Sequence, residues 1–216
     1  MQELPRTLPV LKVRSTILMP QAHLPVIMQR EAFKAVAPEV LEDNIVAVVQ
    51  PKPMLINGYR NRQTAQPYKI GCAGKITGVY TTENNITINI YGLCRFEIVE
   101  QLVQDVTGID RIVVNYNKYL ADLDEKKGEQ INYDKARLLH ALDAYFKHLA
   151  IFPNWKEIEK TPADVLVSAL AMACPFHPSE KQSLLEAVDF QARSDMITKM
   201  IEVNSHDRYN TASTVN

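Results

Sequence analysis

The feature of the sequence that most restricts its fold is the stretch from Tyr68 to Gln101, YKIGCAGKITGVYTTENNITINIYGLCRFEIVEQ. Apolar and polar residues alternate from Ile86 to Ile90, which is the period-two pattern of a half-buried strand. The preceding residues 83–85 (ENN) suit a hairpin turn, because asparagine tolerates the left-handed backbone that such a turn requires. Gly92 then predicts a bulge or a sharp bend. The stretch therefore predicts two strands joined by a tight turn and a third strand after a glycine break, with no catalytic residue.

The rest of the first half adds short strands and one helix. Residues 6–14 and 110–116 each predict a strand, and the apolar residues 45–50 (IVAVVQ) predict a strand buried on both sides. Residues 15–29 predict two extended pieces separated by a turn near residues 21–23. Residues 31–43 carry one apolar stripe of helical period, interrupted by Pro38. Six or seven short strands with a single small helix predict a compact barrel or sandwich-like fold.

The second half changes character near Leu120, where a charged stretch predicts a linker and helical periodicity follows it. We predict helices over residues 133–150, 162–173, 179–188 and 190–203, with Thr161 and Asp164 as a capping box before the second. The resulting subdomains are a β-barrel over residues 1–117, a linker over 118–132, a helical bundle over 133–203 and a polar tail over 204–216.

Composition excludes several classes of protein. A formal net charge of -1 over 216 residues argues against a protein dominated by nucleic-acid electrostatics. Three widely spaced cysteines indicate a reducing compartment without a disulfide framework. No secretory signal pattern opens the chain, and no apolar run reaches the roughly 18 residues that a membrane span needs. A cytoplasmic protein without a membrane partner is the expectation.

Motifs that carry chemistry are missing from the sequence. No His or Cys spacing aims two ligands at one metal, although His140 and His148 could share a helix face as ordinary exposed residues. Neither a phosphate-binding glycine loop nor a GxSxG nucleophile turn occurs. We therefore expect no cofactor, no metal and no enzymatic activity.

Two sets of residues are candidates for binding. No acidic residue lies between Asp43 and Glu83, and the basic groups there alternate with tyrosines, as in a surface for single-stranded nucleic acid or as in an ordinary solvated loop. The basic set is Lys52, Arg60, Arg62 and Lys69. Methionines near prolines could form an adaptable surface for unfolded peptide, or could simply be core. The peptide-binding set is Met19, Met28, Met54, Tyr59 and Tyr68.

With these elements placed, the sequence resembles the N-terminal substrate-binding domain of the ATP-dependent protease Lon. The resemblance is carried by LPVLKVRSTILMPQAHLPVIM (residues 8–28), EAFKAVAPEVLEDNIVAVVQPKP, YKIGCAGKI and INIYGLCRFEIVE, and by the helical stretches from LLHALDAYFKHL to PADVLVSALAMACPFHPSEKQSLLEAVD. It extends over about residues 8–203. Residues 21–23 (QAH) depart from the family, in which a Pro-Gly turn is common.

The resemblance implies an α+β fold, namely a PUA-like pseudobarrel with one inserted helix followed by a helical bundle. It also implies a non-catalytic module that recognises or tethers unfolded or extended polypeptides for a protease or chaperone system. Since no ATPase or protease motif follows, the chain looks like a stand-alone relative. Two alternatives stay open at this point. One is RNA binding by a PUA-like module through the basic, tyrosine-bearing loop, and the other is a small-ligand pocket in the barrel.

Overall fold

The computed structural model describes residues 4–30, 33, 44–52, 55–56, 59–60, 66–102, 110–124 and 133–212, with the backbone alone for residues 55–56, 59–60 and 206–212. The chain is α+β, as predicted, and forms two compact units. The first unit, here called the β unit, comprises residues 1–125 and 175–185. The second, the helical unit, comprises residues 126–174 and 186–216.

The β unit is built on a six-stranded mixed sheet with the order β2-β7-β6-β3-β1-β8. Its strands are β1 (Thr7–Lys12), β2 (His23–Gln29), β3 (Ile45–Val49), β6 (Ile70–Thr81), β7 (Asn85–Leu102) and β8 (Arg111–Asn115). The short strands β4 (Leu55–Ile56) and β5 (Tyr59–Arg60) pair with each other. The β1–β3 pair is parallel and the other pairs are antiparallel. Strand β8 also pairs with β7, so the order of pairing returns to β7, with β2 paired on the other side of that strand.

Strand β7 is the longest strand and corrects one prediction. The sequence predicts a strand, a break at Gly92 and another strand, whereas β7 runs through Gly92 without interruption. The predicted bulge is present: Ala73 faces Cys94 and Gly74 faces Gly92, so Leu93 is the extra residue. The strand stays continuous because β6 pairs with it along most of its length, β2 with its first half and β8 with its last part.

The remaining strand predictions are largely confirmed. All five residues of β3 are buried, as the apolar run indicates, and β1 and β8 lie within their predicted ranges. In residues 15–29 only the second extended piece is a strand, and residues 17–19 are buried without being one. The turn before β2 has Gln21 in a left-handed conformation with φ 59°. The predicted helix over residues 31–43 lies outside the described residues, apart from residue 33.

The first part of the predicted linker is folded. Residues Asn117–Leu123 form a 3-10 helix, here called η1, and Tyr119 is buried within it. The charges after Leu120 read as a solvated stretch in the sequence, yet the first of them, Asp122, pairs with a buried arginine of β7. This tertiary contact is what gives the stretch a structure.

Five helices follow in the part of the chain that the structure describes. They are α1 (Lys135–His148), α2 (Trp155–Lys160), α3 (Ala163–Ala173), α4 (Pro178–Glu186) and α5 (Phe190–Ala212). Helix α2 was not predicted, and α5 extends into the predicted tail. The capping box is wrong: Pro162 takes the N-cap position of α3, and Thr161 Oγ1 instead donates to the Glu157 carbonyl oxygen at 2.7 Å. Within the described residues, no helix has the length and hydropathy to cross a bilayer.

Helix α4 groups with the sheet and not with the other helices. The Gln182 side chain donates from Nε2 to the carbonyl oxygen of Ile70 in β6 at 3.0 Å. In the helical unit, α1 and α5 are joined by a hydrogen-bonded ion pair between Arg137 and Glu202, with Nη2 to Oε2 at 2.7 Å. The subdomain boundaries given by the sequence stay a prediction.

Candidate functional site

The β unit carries a groove of about 670 Å³ beside β8 and η1. Its apolar lining comes from four parts of the chain, namely Leu4 before β1, Val99 in β7, Val113 and Val114 in β8, and Leu120 and Leu123 in η1. Its polar lining is Arg6, Asn115 and Asn117, and Arg6 is the one charged side chain among the lining residues of the described chain. An apolar groove with a few polar groups is a typical ligand-binding surface.

One side of the groove is formed by β7 and β8. Along β8 the residues alternate, with Ile112 and Val114 buried and Val113 more exposed, as expected of a strand with one face on the core. The pairing of the two strands shifts between Ile98 and Glu100, which leaves Val99 as an extra residue in a bulge. A bulge redirects a side chain, and Val99 is accordingly 65% exposed.

The other side of the groove is formed by η1, whose residues divide between two faces. A 3-10 helix has three residues per turn, so positions i and i+3 lie above each other. Leu120 and Leu123 share the face that lines the groove and are 55% and 36% exposed. Tyr119 and Asp122 share the other face, which contacts β7. The local geometry thus places an apolar wall opposite Val99.

A buried ion pair fixes η1 to the sheet. Arg95 of β7 donates from Nε to Asp122 Oδ2 at 2.8 Å and from Nη2 to Oδ1 at 2.9 Å, and the two side chains are 6% and 9% exposed. Its Nη1 donates to the carbonyl oxygen of Leu185 in α4 at 3.0 Å. The guanidinium also lies 4.4 Å from the centre of the Tyr119 ring. We call this set of four residues the Arg95 clasp, since it joins β7, η1 and α4.

The groove also contains a tyrosine that stays neutral. The Tyr116 hydroxyl donates to the carbonyl oxygen of Pro5 at 2.8 Å. Burial, with smaller contributions from Cys94 and Cys72, raises the pKa of Tyr116 well above its usual range. Arg6 is therefore the group that sets the charge of the groove at neutral pH.

The Cys94 thiol lies next to the Arg95 clasp, and the pH dependence of stability tests whether this thiol is buried. Cys94 donates to the carbonyl oxygen of Tyr119 at 3.2 Å, and burial raises the pKa of Cys94 to about 12. An unfolded thiol ionises near pH 8.5, so the native state retains the proton more strongly. This contribution to stability is complete below about pH 8.5 and is lost as the pH rises towards about 12.

We therefore expect the free energy of unfolding to fall with pH more steeply in the native sequence than in Cys94→Ala. Between pH 9 and 10.5 the two slopes should differ by about 1.4 kcal/mol per pH unit, the value for one proton. Urea unfolding at a series of pH values measures both slopes. Equal slopes would contradict a thiol held in its protonated form, whatever the cost of the alanine itself.

Three of the predicted peptide-binding residues have described side chains, and none of the three lines the groove. Met19 is fully buried, so its side chain has no exposed part to offer to a peptide. Met28 is half-buried on β2, opposite Ile86. Tyr68 is half-buried beside Lys52, whose Nζ lies 5.9 Å from the ring centre. For Tyr59 the structure describes only the backbone, and Met54 lies outside the described residues.

The predicted nucleic-acid-binding residues are also only partly described. Lys52 is exposed. Lys69 pairs with Glu97 at 2.6 Å, and its hydrogen bond lowers the pKa of Glu97. Arg60 is described only in its backbone, and Arg62 lies outside the described residues. The proposed basic surface stays a prediction.

Two details of the sequence could have indicated the groove. In FEIVEQ the apolar residues Phe96 and Ile98 follow a period of two, and Val99 breaks it, as an extra residue in a strand would. In YLADLD the two leucines are three residues apart, which matches one turn of a 3-10 helix. Neither detail predicts which other segments of the chain form the groove together with these residues.

Comparison with known proteins gives one family. The model of the ATP-dependent protease La (LON) substrate-binding domain matches residues 7–203. Among curated proteins, the Lon protease of Dictyoglomus thermophilum is 23% identical over 212 residues, and Lon protease 2 of Myxococcus xanthus is 24% identical over 213 residues. The alignments cover 91% and 93% of this chain but 24% of each relative, so the chain spans about a quarter of their length.

Solved structures share the fold. A Lon N-terminal domain protein from Xanthomonas campestris has a TM-score of 0.58 at 15% identity, covering 89% of this chain and 97% of that one. The N-terminal domain of the Mycobacterium avium complex Lon protease has a TM-score of 0.56 at 15% identity, with coverages of 93% and 98%. At this identity the likeness describes the α+β fold, with its mixed sheet and helices.

Proposed function

The chain belongs to the family of Lon substrate-binding domains, and on that premise we propose that it is a non-catalytic module that binds extended or unfolded polypeptide for a proteolytic system. The family match over residues 7–203 is the observation that carries the proposal. In this proposal ATP hydrolysis and peptide cleavage are the work of other domains or proteins. A cytoplasmic location and a role in presenting substrates to a protease or chaperone belong to the same proposal.

We also propose a finer architecture. The sheet is interpreted as a PUA-like pseudobarrel, which the β7–β8 pairing supports because it returns the order of strands to β7. The helices of the helical unit are interpreted as a bundle, which the ion pair between Arg137 and Glu202 supports.

The groove is the proposed binding surface of the β unit. Exposed apolar side chains that cluster, as Val99, Leu120 and Leu123 do, are typical of an interaction site, whereas isolated ones are ordinary. The five residues of β8 span roughly 16 Å, enough to support about five residues of extended peptide. Binding through open apolar walls is weak and broad in specificity, as suits a receptor for unfolded chains.

We expect Val99→Ser to weaken binding of a reduced, carboxymethylated model polypeptide by about fivefold, because part of an apolar contact is lost, worth about 1 kcal/mol. Adding Leu120→Ser should weaken it further. Fluorescence anisotropy with a labelled polypeptide measures the dissociation constant. Ile27→Ser is the matched control, since Ile27 is 69% exposed on β2 and does not line the groove.

Equal effects of Val99→Ser and Ile27→Ser would place binding elsewhere. Single-stranded RNA is the comparison ligand for the alternative reading. RNA binding that falls steeply with salt and is lost when Lys52, Arg60 and Arg62 become alanine would favour the nucleic-acid function instead. Polypeptide binding with little dependence on salt supports the proposal.

A further inference from the structure

We propose that the groove prefers extended segments in which an acidic side chain lies next to a bulky apolar one, with Arg6 pairing with the carboxylate. This inference rests on the proposed function and specifies the class of segment that the same surface takes. The occupant is a stretch of another polypeptide carrying Asp or Glu within its sequence.

Charge at the groove is the first argument. Arg6 is exposed, lines the groove and has no ion-pair partner in the part of the chain that the structure describes. Two other cations of the β unit are engaged: Lys12 pairs with Asp110, and Lys69 pairs with Glu97. No carboxylate occurs among the lining residues, all of which belong to the described chain. The guanidinium is thus available to an anion brought by a ligand.

The backbone around Arg6 is fixed, which is the second argument. The Arg6 carbonyl oxygen accepts from the Val114 amide of β8 at 2.8 Å. One residue earlier, the Pro5 carbonyl oxygen accepts from the Tyr116 hydroxyl, also at 2.8 Å. Both bonds anchor the chain to the strand and the loop that form the groove. The charged group therefore extends from a positioned backbone, and less ordering is needed when a ligand binds.

A neutral donor near Arg6 is the third argument. Asn115 lines the groove, and its Oδ1 accepts from the Asn117 backbone amide at 2.9 Å. This bond occupies the oxygen of the side chain and leaves its NH₂ group as a donor. A guanidinium and an amide NH₂ are both suited to carboxylate oxygens.

The apolar walls indicate a carboxylate on a peptide and not a nucleic-acid backbone. A strand of RNA brings about one negative charge per nucleotide and needs several cations along its path. The described groove has one cation together with apolar side chains such as Val99 and Leu120, which suit an apolar residue of the ligand. One acidic residue beside one large apolar residue matches that arrangement.

The test uses acetylated, amidated nine-residue peptides that differ only at the second residue after a central leucine, which is Asp in one and Asn in the other, because positions i and i+2 share a face of an extended chain. We expect the native protein to bind the Asp peptide about fivefold more tightly, a difference typical of a partly exposed ion pair. In Arg6→Gln the ratio should fall to about one. In Lys75→Gln, which removes an exposed cation of β6 outside the groove, the ratio should be unchanged. Anisotropy titrations at low and moderate salt measure both ratios, and higher salt should reduce the preference.

The outcomes separate this inference from the proposed function. If both peptides bind and Val99→Ser weakens both, but the Asp and Asn peptides bind equally, the preference is overturned and the proposed function stands. An equal loss for both peptides in Arg6→Gln also overturns it, because the arginine then acts on the fold, as a shift in the melting temperature would register. If neither peptide nor the unfolded polypeptide binds, both proposals fail.

Discussion

Replacing Arg95 with leucine is expected to lower the free energy of unfolding by about 3–5 kcal/mol, because the change leaves the Asp122 carboxylate buried without its cation. The two side chains are 6% and 9% exposed, so water does not compensate for the loss. The leucine also removes the hydrogen bond to the Leu185 carbonyl oxygen and the contact with the Tyr119 ring. Guanidinium unfolding followed by circular dichroism measures the change.

Two further variants serve as controls. Arg95→Leu combined with Asp122→Leu removes both charges and should cost less than the sum of the single changes, since neither ion is left unpaired. Lys12→Leu breaks a surface pair whose side chains are 39% and 36% exposed, and we expect a cost below about 1 kcal/mol. A cost of Arg95→Leu no greater than that of Lys12→Leu would contradict the role of the clasp.

Gly92→Ala is expected to lower the free energy of unfolding by about 3 kcal/mol or more, because there is no space for a methyl group at this position. An added Cβ would clash with the carbonyl oxygen of Met19 and lie 2.9 Å from its carbonyl carbon. Both are backbone atoms and cannot rotate away. The Gly92 amide donates to the Ala22 carbonyl oxygen and the Gln21 amide donates to the Gly92 carbonyl oxygen, so the two segments of backbone are held together at this point. Thermal unfolding of the variant measures the effect.

Gly78→Ala is the matched control for this prediction. Gly78 lies in β6, where the three atoms nearest to an added Cβ all belong to the Tyr80 side chain, at 3.0 to 3.3 Å. Tyr80 is exposed and its side chain can rotate away, so we expect a change of no more than about 1 kcal/mol in either direction. Similar effects of the two alanines would show that the close approach at Gly92 is not the cause.

The sequence predicts single helices and strands better than it predicts which of them pack against each other. The alternation from Ile86 to Ile90, the apolar run of β3 and the helical periods of α1 and α3 are properties of single segments, and these elements are present. The place of α4 depends instead on Gln182 reaching the carbonyl oxygen of Ile70, which is 112 positions away. No pattern within a helix records such a contact.

The candidate site was harder to predict for the same reason. Charges near Leu120 read as a linker because the partner of Asp122 lies 27 positions earlier, on β7. Methionines near prolines look adaptable in a sequence, but Met19 is buried where its backbone approaches Gly92. The groove collects residues from the segment before β1, from the bulge of β7, from β8 and from η1. The β1–β8 and β7–β8 pairings bring the first three together, and no local pattern in the sequence records these pairings.

The two faces of η1 have different roles: one holds the helix against the sheet, and the other lines the groove that would contact a ligand. Tyr119 and Asp122 hold the short helix in place, while Leu120 and Leu123 point to the groove. Positions 120 and 123 are therefore free to vary without loosening the anchor beneath them. Randomising these two positions would yield a library of variants that share one scaffold and differ in binding specificity.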